Sequence, residues 1–148
     1  MVDELEALYR GKLPEFRRVA TAIAGDRDLG CDAVQEAFAT AVRKRRSFRG
    51  DGTLEAWVWR IVVNAARDAR RRRPAPAEPA ETRTNGHAPV VPLDLLTERQ
   101  REIVFLHYYA DLDYAAIAEA LAISPGTVGA TLNAARATLR QALEEVRT

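Results

Sequence analysis

The sequence predicts an all-α chain of two small helical domains, residues 1–73 and 93–148, joined by a proline-rich linker at 74–92, with a helix-turn-helix in the second domain. Three observations carry that expectation. Apolar residues recur at three- and four-residue spacing through both flanking segments, and no stretch alternates as a strand would. Residues 74–92, PAPAEPAETRTNGHAPVVP, hold five prolines and no helical period; such a spacer is semi-rigid where its prolines cluster. Residues 96–139 spell out helix starts and stops at Thr97, Gln100, Asp113, Ser124 and Pro125.

In the first segment Leu5, Leu8, Tyr9, Leu13 and Phe16 form one stripe, continued by Val19, Ala20 and Ile23. Pro14 is expected to kink this helix or start another, because it lacks an N–H and crowds the preceding turn. Gly25-Asp26 closes it, and Asp28 or Asp32 is expected to start the next, whose buried face is Cys31, Val34, Phe38 and Ala41. The exposed side carries Asp32, Gln35 and Glu36, and Arg43-Lys44-Arg45-Arg46 sits on the negative end of the helix dipole. After a loop at Ser47–Gly52, Thr53 with Ala56 starts a third helix with core face Leu54, Trp57, Val58, Ile61, Val62 and Ala65. That register leaves Trp59 off the core, facing solvent or a partner.

In the second segment Thr97 and Gln100 form a capping box, each side chain bonding a free N–H of the first turn. Asp113 caps the next helix, with Ala115, Ile117, Ala118 and Leu121 on its apolar face. Ser124 as cap and Pro125 at the first helical position start the last, since proline's missing N–H is no loss there. Val128, Leu132, Ala135 and Leu139 follow at helical spacing, and small Ala118 allows the two helices to cross closely. Such a pair sets a helix end against the DNA major groove.

Composition narrows the function. Apolar runs fall far short of the ~18 residues of a spanning helix, the opening residues carry no signal pattern, and Cys31 is the only cysteine. A cytoplasmic location without disulfides is expected. His87 and His107 lie 20 positions apart without partner ligands, so no metal and no cofactor is expected. No nucleophile–base pair or glycine-rich phosphate loop can be assembled, which points away from an enzyme. The net charge of +1 hides an asymmetry: residues 1–73 carry +5, residues 74–92 carry −1 and residues 93–148 carry −3. Phosphate neutralisation dominates nucleic-acid affinity, so the first domain is the better electrostatic candidate. Its clusters at 43–46 and 70–73 flank Phe48 and Arg49, and a basic groove with aromatics suits single-stranded nucleic acid. Asn64 lies off the core face and can present donor and acceptor to a base edge; an ordinary exposed polar residue fits its spacing equally well.

The motifs together resemble a sigma factor of bacterial RNA polymerase, of the extracytoplasmic-function group. Asp32-Ala-Val-Gln-Glu-Ala-Phe38, Phe48-Arg49, Trp57-Val-Trp-Arg-Ile61, Asn64, Asp68 and the arginine tail resemble the family's region two. Leu96-Thr-Glu-Arg-Gln-Arg-Glu-Ile103, Ile117-Ala118-Glu119 and Gly126-Thr-Val128 resemble region four. The resemblance implies that Asp32, Gln35 and Glu36 dock on the clamp helices of the polymerase's large subunit. It implies that Phe48, Arg49, Asn64, Arg67, Arg70 and Arg71 capture the melted non-template strand of the minus-ten element. The linker would run toward the RNA exit channel, and the second domain would pack on the flap of the other large subunit. Minus-thirty-five contact would fall to Ser124, Thr127, Gly129, Ala130, Thr131, Asn133 and Arg136. Promoter DNA would then be recognised and melted without ATP.

The chain departs from that pattern where the family usually carries basic residues on the recognition helix. Gly129, Ala130, Thr131, Asn133 and Ala134 stand there, and Arg136 is the first cation. About three missing phosphate contacts would flatten the salt dependence by close to three units. Two other readings therefore stay open: a stand-alone helix-turn-helix regulator, and a sigma-like interaction protein that binds polymerase or an anti-sigma factor without directing initiation.

Overall fold

The computed structural model describes residues 1–72 and 93–147, so the expected linker lies outside the described residues. These residues form six α-helices and no strand: α1 (Val2–Ala24), α2 (Arg27–Arg43), α3 (Leu54–Arg72), α4 (Glu98–Tyr108), α5 (Tyr114–Leu121) and α6 (Pro125–Arg147). The all-helical expectation is met.

Local chemistry explains most of the boundaries. α1 bends where Lys12 leaves helical geometry at φ −127°, two residues before Pro14. Gly25 ends it at φ 82°, a conformation cheap only for glycine, with its N–H donating to the Thr21 carbonyl at 2.8 Å. α2 is capped by Asp26, whose Oδ2 accepts from the Leu29 N–H at 3.0 Å. Asp28 and Asp32 therefore do not start it; Asp28 sits in the first turn and Asp32 is exposed beyond it. The Gly25 turn is so tight that the next residue, extended at φ −155°, already serves as cap. Thr53 caps α3 through the Ala56 N–H, Thr97 and Gln100 close a complete capping box on α4, and Asp113 caps α5.

Around α3 the sequence register is corrected. Ala56, Val58, Trp59, Val62, Val63 and Ala66 face the core, whereas Leu54, Trp57, Ile61 and Ala65 are half-buried. Trp59 is fully buried at 0 % exposure. Its ring lies 4.3 Å from that of Phe16, which meets Phe38 edge-on at 5.2 Å, and Phe38 in turn meets Tyr9 at 5.0 Å. The indole N–H donates to Glu55 Oε2 at 3.3 Å, and Lys12 Nζ bonds both oxygens of that carboxylate at 2.9 and 2.8 Å. A buried tryptophan needs such a partner, and here it also ties the bend of α1 to the first turn of α3. Two smaller revisions follow the same logic. Cys31 is only half-buried, with Ala33 and Ala37 taking the inward positions of α2, and Ala115 is exposed while Ala120 is buried.

In the second half Ile103, Leu106, Ile117 and Leu132 are fully buried. The axes of α5 and α6 turn by 104° across the short break between them, within the range of a helix-turn-helix. Ser124 Oγ accepts from the Thr127 N–H at 3.1 Å, as its cap role requires. Ala122 ends α5 in the left-handed region at φ 58°, which costs an L-residue about 1–2 kcal/mol. Ala122→Gly is therefore expected to stabilise the protein by about 1 kcal/mol, because glycine's gain here exceeds its entropy loss. For a chain of this size the unfolding midpoint should rise by about 2–4 °C; a fall in the thermal melt would refute the strain argument.

The two halves are not separate beads. α3 packs on α1 and α2 and also against α5, and α1 touches α4. The buried apolar residues of both halves make one continuous cluster.

Candidate nucleic-acid interface

Helix α3 organises the candidate site. Trp57, Arg60, Asn64, Arg67 and Arg71 are spaced by three and four residues and so share one face of this helix. At its N-terminal end the loop folds back so that Phe48 stands 5.4 Å from Trp57, ring to ring. Phe48 is half-buried and Arg49 exposed, and both line a cleft with Asp51, Trp57 and Arg60. Further along, Asn64 is exposed, its Oδ1 accepting from Arg67 Nη1 at 3.5 Å. Arg71 is exposed and ion-paired with Asp68 on the same helix. A line of aromatic, amide and guanidinium groups therefore runs from the loop to the arginine tail. Such a line can stack bases and hold a strand's phosphates.

Not every expected residue joins this line. Arg70 lies toward the core side of α3, its Nη1 3.4 Å from the Ile23 carbonyl at the end of α1. Arg67 is on the line but engaged. Its Nε donates to Glu102 Oε2 at 2.6 Å and its Nη2 to Glu102 Oε1, a two-pronged bond across to α4. Glu102 is only 1 % exposed. That hydrogen-bonded carboxylate raises the Arg67 pKa above its ordinary value, outweighing the burial that opposes it. Arg60 and Trp57 are members of the line that sequence reasoning passed over as binding residues. Their spacing relative to Asn64 and Arg71 was the available signal.

On α2 the side chains of Asp32, Gln35 and Glu36 are exposed together, opposite the buried Ala33, Val34, Ala37 and Phe38. Glu36 Oε1 lies 3.9 Å from Arg43 Nη2, one long surface pair.

The helix-turn-helix presents a short polar surface. Ser124, Thr127, Ala130 and Asn133 are exposed, with Thr131 and Gly129 half-buried. Gly129 lets the Tyr114 ring approach, since a Cβ there would stand 3.3 Å from its Cε2. Arg136 is turned back on its own domain. Its Nε donates to the Tyr108 hydroxyl at 2.9 Å, and the guanidinium stands 5.8 Å from that ring's centre. The hydrogen bond raises its pKa. Between α4 and α6, Val104, Phe105, Tyr108, Tyr109, Leu139 and Leu143 line a mainly apolar groove, with Tyr108, Tyr109 and Leu143 well exposed.

No single helix is long and apolar enough to cross a membrane among the described residues.

Comparison with known proteins matches this geometry in order along the chain. Residues 8–74 fit the family described as Sigma-70 region 2, and residues 93–139 fit Sigma-70, region 4. Over 80 residues the chain is 38% identical to the ECF RNA polymerase sigma factor SigM of Mycobacterium tuberculosis, covering 53% of this chain and 39% of that relative. The match thus spans about two fifths of SigM's length. Over 153 residues it is 27% identical to the ECF RNA polymerase sigma factor EcfG of Rhodopseudomonas palustris, covering 94% of this chain and 84% of that one. Among solved structures, CnrH in complex with the cytosolic domain of CnrY superposes with a TM-score of 0.77 at 23% identity, covering 97% of this chain and 89% of that one. The sigma factor RpoE of Bartonella quintana, bound to the anti-sigma factor NepR, gives 0.72 at 21% identity, covering 96% and 98%. At those identities the superpositions speak to the fold alone.

Proposed function

Because the chain belongs to the sigma-70 family and to its extracytoplasmic-function group, we propose that it binds core RNA polymerase and directs promoter recognition, melting and transcription initiation. The observation that carries this reading is the α3 line, Trp57, Arg60, Asn64, Arg67 and Arg71, continued at its start by Phe48 and Arg49. Aromatic faces take unstacked bases, and the asparagine can read a base edge. The guanidiniums hold the strand in register through its phosphates. Binding energy for flipped bases would offset the few kcal/mol lost per unstacked step, so melting needs neither ATP nor a catalytic group. The chain acts as a non-enzymatic factor in the cytoplasm.

In this reading Asp32, Gln35 and Glu36 form the contact to the polymerase clamp, and the apolar groove between α4 and α6 takes the flap. The helix-turn-helix contributes little phosphate neutralisation, because Arg136 is held by Tyr108. Ser124, Thr127, Thr131 and Asn133 are left to meet the minus-thirty-five element, with small, exposed Ala130 allowing close approach and Gly129 packed against Tyr114. Most of the DNA affinity then comes from the first domain and from polymerase.

The test is to mix the purified chain with sigma-free core polymerase and footprint the region upstream of its own gene with permanganate. A reactive bubble with stable core binding is expected. Core binding with no bubble on any promoter offered would favour a polymerase-binding protein that does not initiate. Absence of core binding would favour a stand-alone regulator.

A further inference from the structure

Away from the α3 line, a cavity of about 580 Å³ opens where the end of α1 meets the start of α2. Arg17, Arg18, Thr21, Arg27, Cys31 and Tyr109 line it. A close helix crossing builds it. A Cβ at Gly30 would stand 2.5 Å from Thr21 Oγ1 and 2.6 Å from Thr21 Cα, so only glycine lets the two backbones approach there. Arg17 and Arg18 lie one turn before Thr21 on α1, and Arg27 and Cys31, one turn apart on α2, flank Gly30. Residues three and four apart share a helix face, so the crossing gathers the three arginines around one cavity. Tyr109, just past the end of α4, supplies the aromatic wall. Its ring is stacked on Phe105 at 5.5 Å and 5°, and the residue is 42 % exposed.

The charge in this cavity is unbalanced. Elsewhere the cations of the chain meet carboxylates, as Arg10 meets Glu6, Lys12 meets Glu55, Arg67 meets Glu102 and Arg71 meets Asp68. Among the described residues, no such pair reaches Arg17, Arg18 or Arg27. Glu15, one turn before Arg18, does not pair with it, and its buried Oε2 has no hydrogen-bond partner. Like charges held close repel, and a multivalent anion removes that repulsion. Each guanidinium offers a fork that takes two phosphate oxygens. Three forks exceed what the oxygens of a single phosphate can serve, so a run of two or three phosphates fits better. The aromatic wall suits a planar base, because a further ring can continue the Tyr109–Phe105 stack. The size also matches small-molecule sites, which span about 300–1,000 Å³.

We propose that this cavity binds a nucleoside polyphosphate, with Arg17, Arg18 and Arg27 holding the phosphates and Tyr109 the base. The site is separate from the α3 line, and the inference stands without the initiation reading.

The full-length chain is titrated with ATP, GTP, inorganic tripolyphosphate and adenosine, by calorimetry and by thermal melting. ATP or GTP is expected to raise the unfolding midpoint by about 5–10 °C at about a hundred times its Kd. Tripolyphosphate should bind about tenfold more weakly for want of a base to stack, and adenosine more weakly still. Arg17→Gln/Arg18→Gln/Arg27→Gln should lose at least ~100-fold in nucleotide affinity, since each charge-assisted bond is worth about tenfold or more. It should still fold, because all three side chains are exposed. The charge-matched control is Arg10→Gln/Arg99→Gln/Arg140→Gln, three exposed arginines elsewhere; it should lose no more than about threefold. No midpoint rise with either nucleotide overturns the site. So does an equal loss in the two triple variants, which is general charge attraction. Tripolyphosphate binding as tightly as the nucleotides overturns the nucleotide assignment. If a short DNA duplex displaces the nucleotide and itself loses affinity in the first triple variant, the arginines are a DNA contact and the proposal fails. Promoter opening with core polymerase is a separate readout, and its failure leaves every one of these outcomes readable.

Discussion

Asn64→Ala combined with Arg71→Ala is expected to abolish promoter opening while leaving core polymerase binding intact. The two residues sit nearly two helical turns apart on the same face of α3, and both are exposed. A base-edge contact from Asn64 is worth about 1–3 kcal/mol, and a charge-assisted bond from Arg71 to a phosphate about 1.5–3 kcal/mol. Losing both should weaken capture of the melted strand by about 2.5–6 kcal/mol, at least ~70-fold in the open-complex equilibrium. The structure also says why folding should survive. The Arg71–Asp68 pair is a surface pair within one helix, and such pairs are worth at most about 1 kcal/mol. Asn64 makes only one long bond, to a neighbour on its own helix. Asp32, Gln35 and Glu36, the residues proposed to contact polymerase, are on α2 and untouched. Permanganate reactivity and a core-binding assay, run on the same samples, check both halves of the expectation. An undiminished bubble would mean that this face of α3 is not the strand-capture surface.

Trp59→Ala should cost about 3–5 kcal/mol of stability, the range for emptying a large aromatic from a packed core. Trp57→Ala should cost about 1 kcal/mol or less, since its ring is half-buried against Phe48. Trp59 is central because its ring packs at a tilt against Phe16, and its N–H closes the Lys12–Glu55 network. Its loss leaves a cavity where α1 and α3 meet. With total stabilities of about 5–15 kcal/mol for domains, the first substitution should produce a chain close to unfolding at growth temperature. Urea denaturation followed by circular dichroism distinguishes the two. Equal midpoints, or the reverse order, would mean that α3 is rotated relative to the arrangement described.

The two tryptophans also show where the sequence is ambiguous and why. Helix α3 carries two overlapping stripes at helical spacing. One runs through Leu54, Trp57, Val58, Ile61, Val62 and Ala65, the other through Ala56, Trp59, Val62, Val63 and Ala66. Periodicity scores them alike because the helix is apolar around most of its circumference. Phe16, more than 40 positions away, selects the second by offering Trp59 a ring to pack on. The first stripe is not wasted, since Leu54, Trp57, Ile61 and Ala65 are half-buried against the rest of the core. A helix packed on both sides reads in sequence as one with an uncertain face.

The candidate site divides in the same way. Phe48, Arg49, Asn64 and Arg71 were legible from residue type and position, and the exposure of Asp32, Gln35 and Glu36 followed from the α2 stripe. The engagement of Arg67 was not, because its partner Glu102 ends a run of charged and polar residues at the start of α4, where nothing in the pattern singles it out. Nor was the retreat of Arg136 onto Tyr108, a bond between side chains 28 positions apart.

By itself the sequence determined the features written within a few residues of one another. These were the all-helical class, the capping box at Thr97, the caps at Thr53, Asp113 and Ser124, the break near Pro14, the helix-turn-helix and the family motifs in order. Each depends on bonds spanning three or four residues, so local chemistry suffices. Tertiary structure alone decided which face of α3 turns inward and that the acidic second half lies across the basic first. Those choices depend on the shapes and charges of segments brought together from far along the chain, and no local pattern contains them.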